Sequence, residues 1–75
     1  MNLETEKKIG QNIRRIREKQ GLTQEMLSAR LQTQGCDITR SSLAKIEVGQ
    51  RHIYADEIIF LKNILKISYD DILNV

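Results

Sequence analysis

Seventy-five residues, 40% of them hydrophobic, make one domain (1–75) near the lower size limit, because so short a chain buries only ~60% of its unfolded surface. That leaves no room for a second domain or a large closed substrate cavity; no run of ~18 apolar residues marks a membrane span, and MNLETEKKIG lacks the basic-then-apolar order of a secretory signal. One cysteine forms no internal disulfide, so a reducing cytoplasmic setting is the simplest assignment.

A net charge of +2 is too small to prove a polyanion partner. Its distribution is more informative. Residues 1–21 carry six Lys/Arg against three acids, residues 22–53 four against three, and residues 54–75 two against four. A basic first two thirds and an acidic tail suit a nucleic-acid binder with a separate C-terminal packing or pairing surface. An ordinary solvated surface accounts for the charge equally well.

Periodicity predicts five helices and no strand, an all-α fold. The first covers roughly residues 4–20, with Ile9, Ile13 and Ile16 on one face. Gly10 inside it costs up to ~1 kcal/mol relative to alanine, and a close helix crossing is the usual reason to keep it. The second begins after Thr23, a hydroxyl N-cap, and buries Leu27 and Leu31. A polar loop, residues 32–37, follows, with Gly35 in it and Cys36 as an incidental thiol open to oxidation. The third runs from the N-cap Thr39 to Val48 and stops at Gly49, as the first stops at Gly21. The fourth spans about Ala55 to Leu65, with Ile58, Leu61 and Leu65 inward and Tyr54 as a weak cap. The fifth opens on Ser68 and Asp71 at capping-box spacing.

At 100° per residue, Leu43 and Ile46 define the buried side of the third helix, with Glu47 on its edge. Ser41, Ala44, Lys45 and Val48 fall on or near the other side, and Arg40 sits at the exposed start. A face this smooth enters a ~12 Å major groove, where arginine offers two parallel donors to guanine. A solvated polar face fits that helix alone just as well. The preceding helix opens with Gln24 in a first turn whose free amides attract anions such as phosphate, and Gln24 is placed to steady Arg40 or Ser41. Two short helices so joined make a helix-turn-helix.

GLTQEMLSARL, ITRSSLAKIEVGQR and LKISYDDIL together resemble the Cro/phage-repressor type helix-turn-helix family, often called XRE, over nearly the whole chain from Ile9 to Leu73. The resemblance implies a five-helix, lambda-repressor-like DNA-binding domain, its helix-turn-helix formed by the second and third helices, usually dimeric on operator DNA. By position it carries over Gln24, Thr39, Arg40, Ser41 and Lys45 as DNA-contacting residues, and Gln50 and Arg51 as a phosphate-contacting loop. It also pairs an arginine late in the first helix with the glutamate of the third: here Arg17 and Glu47. The wheel agrees, since Arg17 lies about 40° from Ile13, on the flank of the apolar face. A loose surface pair is the alternative.

Between Leu31 and Ile38 most relatives have one tight-turn residue and this chain has six, as in a subgroup of the family, either a neutral insertion or a loop that touches DNA or a partner. Ser28 replaces a frequent alanine and fits if its hydroxyl bonds a carbonyl; Lys62 replaces another and is expected to snorkel outward. One His and one Cys are too few for a four-ligand zinc site. No phosphate loop or nucleophile–base pair appears, so neither an enzyme nor a cofactor or small-molecule ligand is expected. His52 is a surface loop residue near the proposed phosphate contacts.

The expectation is therefore a sequence-specific double-stranded DNA-binding transcriptional regulator, repressor-like and not membrane-bound. It forms a homodimer through the fifth helix and tail, with Ile72, Leu73 and Val75 as apolar area. Arg40, Ser41 and Lys45 read bases; Arg51 and lysines hold phosphates. An antitoxin or restriction–modification controller, and a protein-interaction module that keeps the fold without DNA binding, remain as alternatives.

Overall fold

The computed structural model describes residues 3–75. Five helices follow one another: α1 (Leu3–Lys19), α2 (Gln24–Thr33), α3 (Arg40–Glu47), α4 (Ala55–Leu65) and α5 (Tyr69–Leu73). No strand occurs among the described residues. The boundaries follow from the caps. Thr23 and Thr39 hydroxyls accept the amides of Met26 at 3.0 Å and Ser42 at 3.1 Å. Ser68 and Asp71 exchange reciprocal bonds at the start of α5, and the Ser68 amide and hydroxyl hold the Asp71 carboxyl below its ordinary range. At α4 the weak cap Tyr54 is made good by Glu57, whose carboxylate accepts the Tyr54 amide at 3.0 Å.

Four helices stop in one way. The amide two residues past the last turn reaches the carbonyl five residues back: Leu22 to Arg17, Cys36 to Leu31, Gln50 to Lys45 and Ile67 to Lys62. The residue between is left-handed, Gly21, Gly35 or Gly49 in three cases and Lys66 (φ 55°) in the fourth. Gly35 is thus a helix stop, and α2 runs through Gln32 and Thr33, which the polar pattern assigned to the loop.

α1 packs on α3 and α5, α2 on α3 and α4, and α4 on α5, around one apolar core. Ile9 and Ile13 from α1, Leu27 and Leu31 from α2, Leu43 and Ile46 from α3, Leu61 and Leu65 from α4 and Ile72 from α5 meet there. Ile58 packs partly buried against it. The loop before α3 contributes to the same core, with Cys36 and Ile38 both buried. Cys36 is therefore not an open loop thiol; burial pushes its pKa up and keeps it in the less reactive protonated form. Ile72 is fully buried as well, so it adds nothing to a pairing surface; Leu73, Val75 and Tyr69 are the exposed apolar residues there.

Two polar contacts tie the ends together. Asn12, buried on α1, donates to the carbonyls of Ile72 at 2.8 Å and Asn74 at 3.1 Å. Ser28 donates to the Glu25 carbonyl at 3.0 Å, which lets a hydroxyl sit in the interior. Lys62 runs its ammonium over the Tyr69 ring, 5.2 Å from the centroid.

Gly10 marks the crossing of α1 and α3. A Cβ there would collide with the Ile46 carbonyl oxygen and press the Ile46 and Glu47 carbonyl carbons at 3.1 and 3.2 Å. Backbone oxygens of a helix give little. Gly10→Ala is expected to destabilise the domain by ~1–3 kcal/mol, as overpacking does, despite alanine's better helix propensity; urea melts of the two proteins measure it.

Candidate nucleic-acid interface

α3 has two unlike sides. Leu43, Ile46 and Glu47 face inward, with exposures of 0, 1 and 2%. Arg40, Ser41 and Lys45 are exposed, Ala44 lies half-buried between them, and Val48 is exposed at the far end. None of the side chains of Arg40, Ser41 and Lys45 has a hydrogen-bond or ion-pair partner among the described residues, so their donors stay free for a ligand. At eight residues the helix is about 12 Å long. Thr39 is exposed, but its hydroxyl is engaged: it accepts the Ser42 amide and donates to the Ser42 hydroxyl, both at 3.1 Å.

The inward acid is held by three groups. Arg17 Nε donates to Glu47 Oε2 at 2.7 Å and Arg17 Nη2 to Oε1 at 3.0 Å, a bidentate fork. Gln24 Nε2 donates to the same Oε1 at 3.0 Å. Arg17 spends its remaining terminal nitrogen on the Leu22 carbonyl at 2.7 Å. The Glu47 hydrogen bond raises the Arg17 pKa, and burial only partly opposes it. One guanidinium thus joins α1, the turn before α2, and α3. Gln24 steadies Glu47, where the sequence pointed it to Arg40 or Ser41; its half-buried side chain still lines a cleft with Thr23, Arg14 and Arg40.

The helix-turn-helix geometry of α2 and α3 has a counterpart in known sequences: a helix-turn-helix domain family matches residues 10–75. The chain belongs to that family. The crystal structure of the DNA-binding domain of BldD shares the fold of this helix-turn-helix domain, with a TM-score of 0.82 at 23% identity, covering 97% of this chain and 99% of that one. No curated protein matches the chain in sequence.

Within this helix-turn-helix domain the turn between the two helices is tied down by hydrogen bonds. The Cys36 amide closes on Leu31, Ile38 closes on Cys36 at 2.9 Å, and Gln32 Nε2 reaches the Ile38 carbonyl at 3.2 Å. Ile38 then enters the core immediately before the α3 cap.

Past α3, Gln50 is exposed and Arg51 is half-buried. Its two terminal nitrogens each bond a Glu57 oxygen at 3.0 Å, one also donates to the His52 carbonyl at 2.9 Å, and the guanidinium lies 5.8 Å from the Tyr54 ring centroid. Glu57, itself buried, takes one edge of the guanidinium, and the Arg51 side chain stays 26% exposed with its Nε donor without a partner among the described residues. An arginine and a glutamate six apart across a loop–helix boundary carry no periodic signal of this pairing. His52, exposed, places Nδ1 2.8 Å from an oxygen of Glu6, an acid buried on α1.

Two outcomes follow from these ion pairs. Arg17→Ala strands the Glu47 carboxylate in the core and is expected to cost ~3–5 kcal/mol, read by denaturant melts. At Glu57, burial pushes the carboxyl pKa up, but the Arg51 hydrogen bond and the Tyr54 amide outweigh it and the net shift is downward. A lowered folded-state pKa contributes stability above the unfolded value, and that contribution fades as pH falls through the folded one. Acid titration of the melting temperature is therefore expected to fall less steeply below about pH 4.5 in Arg51→Ala, a protein weaker at neutral pH.

Proposed function

We propose that this protein is a sequence-specific double-stranded DNA-binding transcriptional regulator, repressor-like, whose 1–75 domain reads the major groove with α3. The observation that carries the proposal is the free, exposed set Arg40, Ser41 and Lys45 on a helix whose opposite side is locked by Leu43, Ile46 and the Arg17–Glu47 fork. A rigid rod with unspent donors at one end is what base-edge recognition needs. Arg40 matches the paired acceptors of a guanine, with Ser41 and Lys45 reaching adjacent edges or phosphate.

Phosphates set the register. The first-turn amides of α2 beside Gln24, the exposed Thr39 turn and Gln50 after α3 supply donors on either side of the reading helix. Arg51, held on one edge by Glu57, adds a partly exposed guanidinium to the phosphate contacts of that second loop.

Two copies act together. The domain measures 29 × 22 × 20 Å along its principal axes, less than the ~34 Å between successive major grooves on one face of DNA. A second copy therefore brings the second reading helix. The exposed apolar side chains Tyr69, Leu73 and Val75 of α5 and the tail are the proposed pairing surface. A reducing cytoplasm is the proposed setting.

Selection from a random duplex pool at stated salt is expected to return a two-fold symmetric site with half-sites one helical turn apart. Arg40→Ala should then lose ~1–3 kcal/mol on that site and relax preference at one base pair per half-site. Equal losses on all sequences sink its role as a base reader. Absence of any salt-sensitive duplex binding, with the Arg40–Lys45 face bound by a protein instead, sinks the DNA reading as a whole.

A further inference from the structure

A second cationic feature lies beside α3 and belongs to none of the residues assigned above. On α1, Lys7, Gln11 and Arg14 follow one another at steps of four and three, within about 60° of one another around the helix. All three are exposed. They line a cleft whose other wall includes Val48, at the C-terminal end of the reading helix. Arg14 also lines the neighbouring cleft, which holds Thr23, Gln24 and Arg40. Lys7 is seated at the opposite end: a Cβ on Gly49, where α3 stops, would lie 3.0–3.2 Å from its backbone and stem. The stripe therefore runs alongside α3 over its whole length.

The position is held firmly. Gly10, one turn from Lys7 and Arg14, brings the two backbones into contact, so this face cannot drift from the reading helix. The charges are available. Among the described residues Arg14 has one exposed partner, Glu18 at 3.5 Å with both side chains more than half exposed, and such pairs are readily given up. Glu47, on the cleft wall, is already neutralised by Arg17. Arg15, which also lines this cleft, donates to Asn12 Oδ1 at 3.0 Å. Glu4 precedes Lys7, and Glu18, one turn after Arg14, lines both clefts.

A helix lying in the major groove runs between two sugar-phosphate backbones, and helices packed 8–10 Å from it meet the groove's lip. From this placement we infer that Lys7, Gln11 and Arg14 form a phosphate-binding rail that continues the track from Gln24 and Arg40 along the flank of α1. The inference rests on the DNA-binding reading above and adds contacts to it. The rail neutralises two backbone charges without reading sequence, Gln11 adding an uncharged donor between them.

The test is fluorescence anisotropy of the full chain on the selected duplex and on an unrelated one, over a salt series. The double variant K7Q/R14Q is expected to weaken both duplexes by the same factor. It should also flatten the slope of log K against log salt by about 1.8, as loss of two phosphate contacts does. The charge-preserving K7R/R14K should restore the slope, and Glu18→Gln should tighten both complexes, an opposed sign that altered packing does not produce. R30Q/K66Q removes the same two charges from the cleft between α2 and α4 and serves as the control. A K7Q/R14Q slope equal to that of the wild type or of R30Q/K66Q overturns the rail and leaves the α3 assignment standing, as does a loss confined to the selected duplex. A wild-type chain with no salt-sensitive binding to either duplex overturns the parent reading itself.

Discussion

The structure depends on one buried ion pair. Arg17 and Glu47 expose 9% and 1% of their side chains, so both charges have left water, a step that costs several kcal/mol per ion unless geometry restores it. The restoration is complete: a two-bond fork, a third donor from Gln24 and a carbonyl at Leu22 for the remaining arginine nitrogen. No buried side-chain nitrogen or oxygen lacks a partner among the described residues. An apolar pair of similar size would stabilise α3 equally well. It would not define orientation, because apolar contacts are non-directional and a planar guanidinium–carboxylate fork is not.

That directionality decides what α3 shows to the outside. Leu43 and Ile46 bury one side of the rod, Gly10 lets α1 approach its backbone, and the fork stops it from rolling. Arg40, Ser41 and Lys45 are left outward as a consequence of how the inward side is spent. The cap at Thr39 and the left-handed Gly49 fix the two ends, so a short helix behaves as a rigid element. The turn before α3 does not loosen it, because Ile38 is anchored in the core one residue before the cap.

Local signals were legible where the cause is local. Capping hydroxyls at Thr23, Thr39 and Ser68, glycine stops at Gly21 and Gly49, and apolar spacing within each helix place the five helices to within a residue or two. The one miss of extent, at the end of α2, arose because Gln32, Thr33 and Gly35 look like loop by composition while serving as a last turn and its stop. The wheel sorted α3 into a core side and an outer side, and the resemblance to Cro-type domains supplied the Arg17–Glu47 pairing. Partner choices across the loop after α3 were not legible. Arg51 takes Glu57, and His52 takes Glu6, because the fold brings these groups together from distant or aperiodic positions.

By itself, then, the sequence determined helix identity, the helix boundaries set by caps and stops, and which side of each helix is apolar, since these follow from propensity and period within a few residues. Tertiary structure decided which polar groups are spent. It buried Cys36 and Ile72, joined Arg51 to Glu57 and turned Gln24 onto Glu47. It also laid Lys7 and Arg14 along α3 from the far end of α1. The physical reason is that a donor's availability depends on which acceptor lies within about 3 Å, and only packing sets that distance.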